Sequence, residues 1–82
     1  MEEKKLQTKI IKFLKDNGAY VVKTRPGMGT PVGCPDIIFF TDGGKSGLIE
    51  VKASKSAVFQ PGQVATLEYL SKMGQNVFVI YP

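Results

Sequence analysis

The chain has 82 residues, 43% hydrophobic and 22% charged, the make-up of one folded domain over residues 1–82 rather than two domains or a disordered segment. Lys and Arg outnumber Asp and Glu by 11 to 7, for a net charge of +4, and this balance favours a polyanionic partner because basic side chains release counterions from phosphates. A single cysteine, Cys34, and no histidine exclude an intrachain disulfide, a cysteine zinc site and any histidine-based hydrolase triad. No stretch is long enough to cross a bilayer and no secretory pattern is visible, so a cytoplasmic location without membrane association is expected.

From Glu3 to Asn17, the residues Leu6, Ile10, Phe13 and Leu14 recur at helical spacing with lysines between them, which predicts an amphipathic helix stopped by Asn17-Gly18. Tyr20 to Thr24 reads as a short strand. Arg25 to Pro35 carries three glycines and three prolines, a composition that defeats helix and ladder alike and predicts a loop. Two apolar runs follow, Asp36 to Thr41 and Gly47 to Lys52, joined by the turn-forming Asp42-Gly43-Gly44-Lys45-Ser46 into a hairpin. Their continuous hydrophobicity predicts a sheet covered on both faces. After a loop from Ser54 to Phe59, Pro61 suits the first turn of a helix from Gly62 to Met73, with Val64, Leu67, Leu70 and Met73 inward. Val77 to Tyr81 is a last strand, expected to run parallel to a neighbour after the helical crossover. The order is α-β-β-β-α-β, an α/β fold with a mixed sheet flanked by helices.

Glu50 and Lys52 stand two apart in a strand and so leave the same face, with Val51 on the other. A hairpin pairing symmetrically about its turn opposes Asp36 to Lys52 and sets it diagonal to Glu50. Two carboxylates and a backbone carbonyl such as that of Val51 make an oxygen-rich site suited to Mg²⁺ or Mn²⁺. Such an ion suits phosphodiester hydrolysis, with Lys52 supplying positive charge beside the attacking water. Lys23, Arg25 and Lys55 flank this point and Lys45 sits at the hairpin tip, all candidates for DNA phosphate contacts. Gly44-Lys45-Ser46 mimics the tail of a phosphate-binding P-loop but lacks the earlier glycine, so nucleotide binding there is rejected. Cys34 reads as a small packing residue.

The stretches G-C-P-D-I-I-F-F (Gly33 to Phe40), L-I-E-V-K (Leu48 to Lys52) and F-Q-P-G-Q (Phe59 to Gln63) together resemble the virus-type replication-repair nuclease domain, VRR-NUC. That family belongs to the PD-(D/E)XK superfamily, with a restriction-endonuclease-like fold, and is similar in core to Holliday junction resolvases. The resemblance implies that Asp36 and Glu50 are metal ligands, Lys52 the catalytic lysine, Gln63 the glutamine opening the second helix, and Glu3 the acid of the first helix. Glu2 and Gln7 compete with Glu3 for the last role. Gln63 could also orient a water or touch a phosphate from a helix N-terminus. The function implied is a Mg²⁺- or Mn²⁺-dependent endodeoxyribonuclease acting as a homodimer on branched DNA such as Holliday junctions. A flap or restriction-like nuclease, or a non-catalytic DNA-binding module that keeps the fold, remains as an alternative.

Overall fold

The computed structural model describes residues 2–27 and 29–82. Helix α1 (Glu3–Asp16) is followed by strands β1 (Tyr20–Lys23), β2 (Ile37–Thr41) and β3 (Lys45–Val51), then helix α2 (Gln63–Lys72) and strand β4 (Val77–Ile80). One four-stranded sheet has the order β1-β2-β3-β4, antiparallel except for the parallel β3–β4 pair. The parallel pairing follows from the α2 crossover, as the sequence predicts.

Helix α1 ends where Gly18 takes a φ of +86°, and the Asn17 side-chain amide donates to the Phe13 carbonyl at 2.8 Å, satisfying one of the helix's last acceptors. Its inward face carries Leu6, Ile10, Ile11 and Leu14, packed on the buried Ile37, Ile49 and Val51. Phe13, expected in this stripe, is instead 65% exposed, and Ile11 takes its place. A 3.6-residue repeat places positions 10, 11 and 14 on one arc and swings 13 to its edge.

The hairpin departs from expectation in register. A 3-10 turn of three residues, Asp42–Gly44, replaces the longer connection, with Gly43 and Gly44 at φ of +80° and +76°. Two glycines in the left-handed region reverse the chain quickly, so Lys45 and Ser46 join β3. Pairing then runs Ile37 to Ile49, which sets Asp36 opposite Glu50 and diagonal to Lys52. Asp36 precedes β2, and Lys52 follows β3 while still donating its backbone N–H to the Ile80 carbonyl at 2.9 Å.

Two further expectations are corrected. Pro61 stands outside α2, separated from it by Gly62, whose φ of +87° turns the chain into the helix. On that helix only Leu67 is buried and Leu70 half-buried, whereas Val64 and Met73 are about half exposed. The ten-residue helix makes its deep contact through its middle turn, leaving the apolar residues at its two ends in solvent. Nor is the sheet covered on both faces throughout: α1 covers one face, but Tyr20 and Phe40, opposed in register, are 71% and 47% exposed. Continuous hydrophobicity marks two-sided burial only at the centre of the sheet, around the carboxyl end of β3.

Candidate functional site

The carboxyl end of β3 carries the sheet's buried polar groups. Glu50 is 1% exposed and Lys52 7%. Strand alternation sends both to the face of the sheet opposite the Ile49 and Val51 core. Asp36 is tied across the hairpin, its Oδ2 accepting the Val51 N–H at 2.8 Å. Glu50 Oε2 accepts from Gln63 Nε2 at 2.9 Å and lies 3.5 Å from Lys52 Nζ, while Glu50 Oε1 is buried with no hydrogen-bond partner among the described residues. A bare buried carboxylate oxygen is costly, and a proton, a water or a cation would satisfy it.

Ligand atoms of Glu3, Asp36 and Glu50 lie within 4.8 Å of one another. Oxygens on a Mg²⁺ ion, with bonds of about 2.0–2.1 Å, sit about 3 Å apart when adjacent and about 4.2 Å when opposite, so the three could hold such an ion by closing further on it. The donors are all hard oxygens, which fit an ion of that class and not a thiophilic one. Among Glu2, Glu3 and Gln7, it is Glu3 whose carboxylate joins Asp36 and Glu50; Glu2 is the exposed cap residue of α1. The Val51 carbonyl lies in the chain between Glu50 and Lys52, at the same end of β3.

Burial, and then the charge of Asp36, push the Glu50 carboxyl up to about 7, against a smaller downward pull from Lys52. Desolvation outweighs the lysine here because the ion pair is long and one oxygen has no donor. A cation brought to this point competes with that proton and restores the carboxylate.

Lys52 is held more closely than sequence reasoning foresaw. Its Nζ donates to Gln63 Oε1 at 2.8 Å and to the Val58 carbonyl at 3.5 Å, and stands 4.5 Å over the Phe59 ring. Gln63 therefore bridges the acid and the lysine, its Oε1 also accepting the Gln60 backbone N–H at 2.6 Å. In this arrangement its Oε1 and one Nε2 N–H are engaged by protein partners. The F-Q-P-G-Q stretch made Gln63 visible in sequence. Nothing in it revealed that Val58, Phe59 and Gln60 would enclose Lys52, since that depends on how the loop returns across the strand end.

The cations expected to meet DNA are dispersed. Lys23, Arg25, Lys45 and Lys55 are all exposed, and none has an ion-pair partner among the described residues. Lys23 pairs with Ile37, the neighbour of Asp36. Lys45 begins β3, five residues before Glu50 and roughly 17 Å away at about 3.3 Å per residue, so it is not brought to the carboxylates. Cys34 is half-buried beside the site, its thiol pKa raised by burial and then by Glu50 and Asp36. Ser54 and Ser56 contact each other at 3.3 Å in the exposed loop.

No family model matches the chain, and no curated protein matches it. Solved structures do. One titled "VRR_NUC domain" superposes with a TM-score of 0.83 at 26% identity, covering 96% of this chain and 83% of the other. The chain has a VRR_NUC fold. A second, titled "VRR_NUC domain protein", gives 0.74 at 22% identity over 99% of this chain and 78% of that one. Hjc of Archaeoglobus fulgidus, titled a Holliday junction resolvase, gives 0.66 at 18% identity over 95% of this chain and 65% of its own. The restriction-endonuclease-like class read from the sequence is thereby confirmed. In this VRR_NUC fold the acidic group of Glu3, Asp36 and Glu50 forms where the two central strands of the sheet reach the ends of both helices.

Proposed function

We propose that the chain is a metal-dependent endodeoxyribonuclease, a single domain over residues 1–82 that hydrolyses phosphodiesters in branched DNA and works as a homodimer. The observation that carries this reading is the buried, partnerless Oε1 of Glu50 within reach of the Asp36 and Glu3 carboxylates, with Lys52 alongside. Glu3, Asp36 and Glu50, with the Val51 carbonyl, would hold Mg²⁺ or Mn²⁺. When bound, that ion supplies Lewis acidity toward a phosphate oxygen and lowers the pKa of a water.

The chain's own groups do the rest. Asp36, fixed by the Val51 N–H, and Glu50, fixed by Gln63, present preset oxygens, so little reorganisation is needed at the moment of reaction. Lys52 brings a positive charge toward the developing negative charge on phosphorus. Gln63 sets the distance between acid and lysine. Lys23, Arg25 and Lys55, all exposed, would contact phosphates of the bound strands, and Lys45 would reach DNA only further along the backbone. Branched DNA is supported by the superposition on a Holliday junction resolvase. A two-fold dimer would present two sites to a two-fold junction.

The test is incubation of folded protein with a four-way junction and with linear duplex, in Mg²⁺ and in Mn²⁺. Junction cutting that stops with a chelator is expected. Absence of cutting on every substrate in both metals rejects the enzyme reading and leaves a DNA-binding module with a nuclease fold.

A further inference from the structure

Beside the carboxylates lies a cleft of about 270 Å³, between the loop that carries Pro26 to Gly33 and the start of α2. Its walls include Thr24, Thr30, Val32 and Gln60, and it opens onto Asp36 and Gln63. Of the site described above, Asp36 and Gln63 line this space, and Glu3, Glu50 and Lys52 do not. At that size it is just below the usual range of about 300–1,000 Å³ for organic ligands, which suits one planar heterocycle and is too small for a base pair.

The cleft is built into the fold. Gly33 has a φ of +80°, and a Cβ there would lie 2.6 Å from the Gly62 carbonyl oxygen and 2.7 Å from Thr66 Oγ1. The loop and the helix start are thus in backbone contact. Thr66 Oγ1 also donates to the Val32 carbonyl at 3.4 Å, and Thr24 Oγ1 to the Pro35 carbonyl at 2.8 Å. Pro26 and Thr30 form an isolated bridge that closes the loop on itself. A cleft held at both ends loses little entropy when filled.

The lining selects the ligand chemistry. Among the described residues it contains no lysine or arginine, and the one charged group is the Asp36 carboxylate, so a phosphate is disfavoured there. Prolines and a valine supply flat apolar walls, and the Thr30 hydroxyl with the Gln60 side-chain amide supplies donors and acceptors that a base edge needs. We propose that this cleft takes one unpaired nucleobase of the strand being cut, so that among branched DNAs the enzyme prefers those with an unpaired nucleotide beside the scissile phosphate. A base inside a duplex is stacked and paired and cannot enter without being extruded. This inference rests on the nuclease reading, because the cleft shares Asp36 and Gln63 with the proposed catalytic site.

The experiment is metal-free, so that binding is read without cutting. 2-Aminopurine is placed in an oligonucleotide, either unpaired at a branch point or fully paired in a duplex, and its fluorescence is followed as protein is added in EDTA at low salt. The unpaired reporter is expected to change at least twofold and the paired one to stay constant. Thr30→Trp, which fills the cleft, should abolish the change and weaken binding of the unpaired substrate at least tenfold, with duplex affinity within about twofold. Gln60→Ala, an exposed wall position, should weaken the same preference about threefold and serves if the first variant does not fold. Equal responses from paired and unpaired reporters overturn the proposal, as does undiminished discrimination in the folded variants. Failure of the cutting assay alone would reject the nuclease reading and leave this binding result standing, and a fully paired substrate cut as fast as an unpaired one would do the reverse.

Discussion

Glu50 is the residue on which the chemistry and the stability of this protein meet. Its carboxyl titrates near 7 in the fold against an ordinary 4.5, so the folded state penalises the charged form. The stability this group contributes is therefore intact below about pH 4.5 and lost as pH rises through about 7, a swing on the order of 3 kcal/mol if the unfolded chain titrates normally. Thermal melts of metal-free protein should fall over that window. Adding Mn²⁺ should raise the melting temperature far more at pH 8 than at pH 5, and Glu50→Gln should remove both effects. An Mn²⁺ shift equal at the two pH values would show that Glu50 is not a ligand. Asp36→Asn keeps an oxygen for the Val51 N–H yet removes a charge, and Lys52→Ala removes the cation. Each is expected to abolish cleavage while DNA affinity stays within roughly tenfold, since phosphate contacts elsewhere carry most of the binding. The identity of Asp36, Glu50 and Lys52 as a group was legible in the sequence, because a Pro-Asp opening one apolar run and an acid-lysine pair closing the next can only converge in a hairpin. The enclosure of Lys52 by Val58, Phe59 and Gln63 was not, since it is made by a loop with no periodicity to read.

Between elements, the decisive contact is where Gly33 meets the start of α2. Gly33→Ala combines a strained φ with a clash against backbone that cannot rotate away, whereas Gly43→Ala has the same φ of +80° and open space around it. The second substitution should cost about 1–2 kcal/mol, the penalty of the left-handed region alone. The first should exceed it by about 1 kcal/mol or more, through overpacking. Urea unfolding of the two variants measures the difference directly, and equal midpoints would mean that the loop does not press on the helix. The same turn glycines explain the error in register. Counted as letters, Asp42 to Ser46 is a five-residue connection, but two consecutive positive-φ glycines reverse the chain within three. Asp36 consequently faces Glu50, and the acid pair lies closer together than symmetric counting about the longer turn implies. Element type and order were legible from periodicity and turn chemistry. Coverage of the sheet was not, because hydrophobic strands read alike whether a helix lies over them or, as at Tyr20 and Phe40, it does not.

At the scale of the whole molecule, the buried hydrophobic core among the described residues is Ile37, Ile49, Val51 and Leu67, small for a chain of 82 residues. Large apolar side chains remain in solvent on the sheet, among them Tyr20 and Phe40, opposed in register on one face. A patch of that kind is the usual mark of a surface that another protein covers. If that protein is a second copy, association and folding are linked, and the dimer gains stability with concentration by mass action. Sedimentation equilibrium at micromolar concentration should then give twice the mass of one chain. The melting temperature should climb as protein concentration is raised tenfold and again tenfold, in high salt as well as low, because apolar burial is not screened. Binding to DNA should behave oppositely, weakening steeply with salt, and each of Lys23, Arg25 and Lys55 that contacts a phosphate should, on replacement by Ala, lower the slope of log affinity against log salt by about 0.9. A chain that sediments as a monomer at every concentration, with a constant melting temperature, would reject the homodimer. The carboxylates and Lys52 come from a single chain, so such a monomer would still hold a complete set of ligands, and loss of the dimer should then cost paired cutting of the two strands of a junction and leave single nicks.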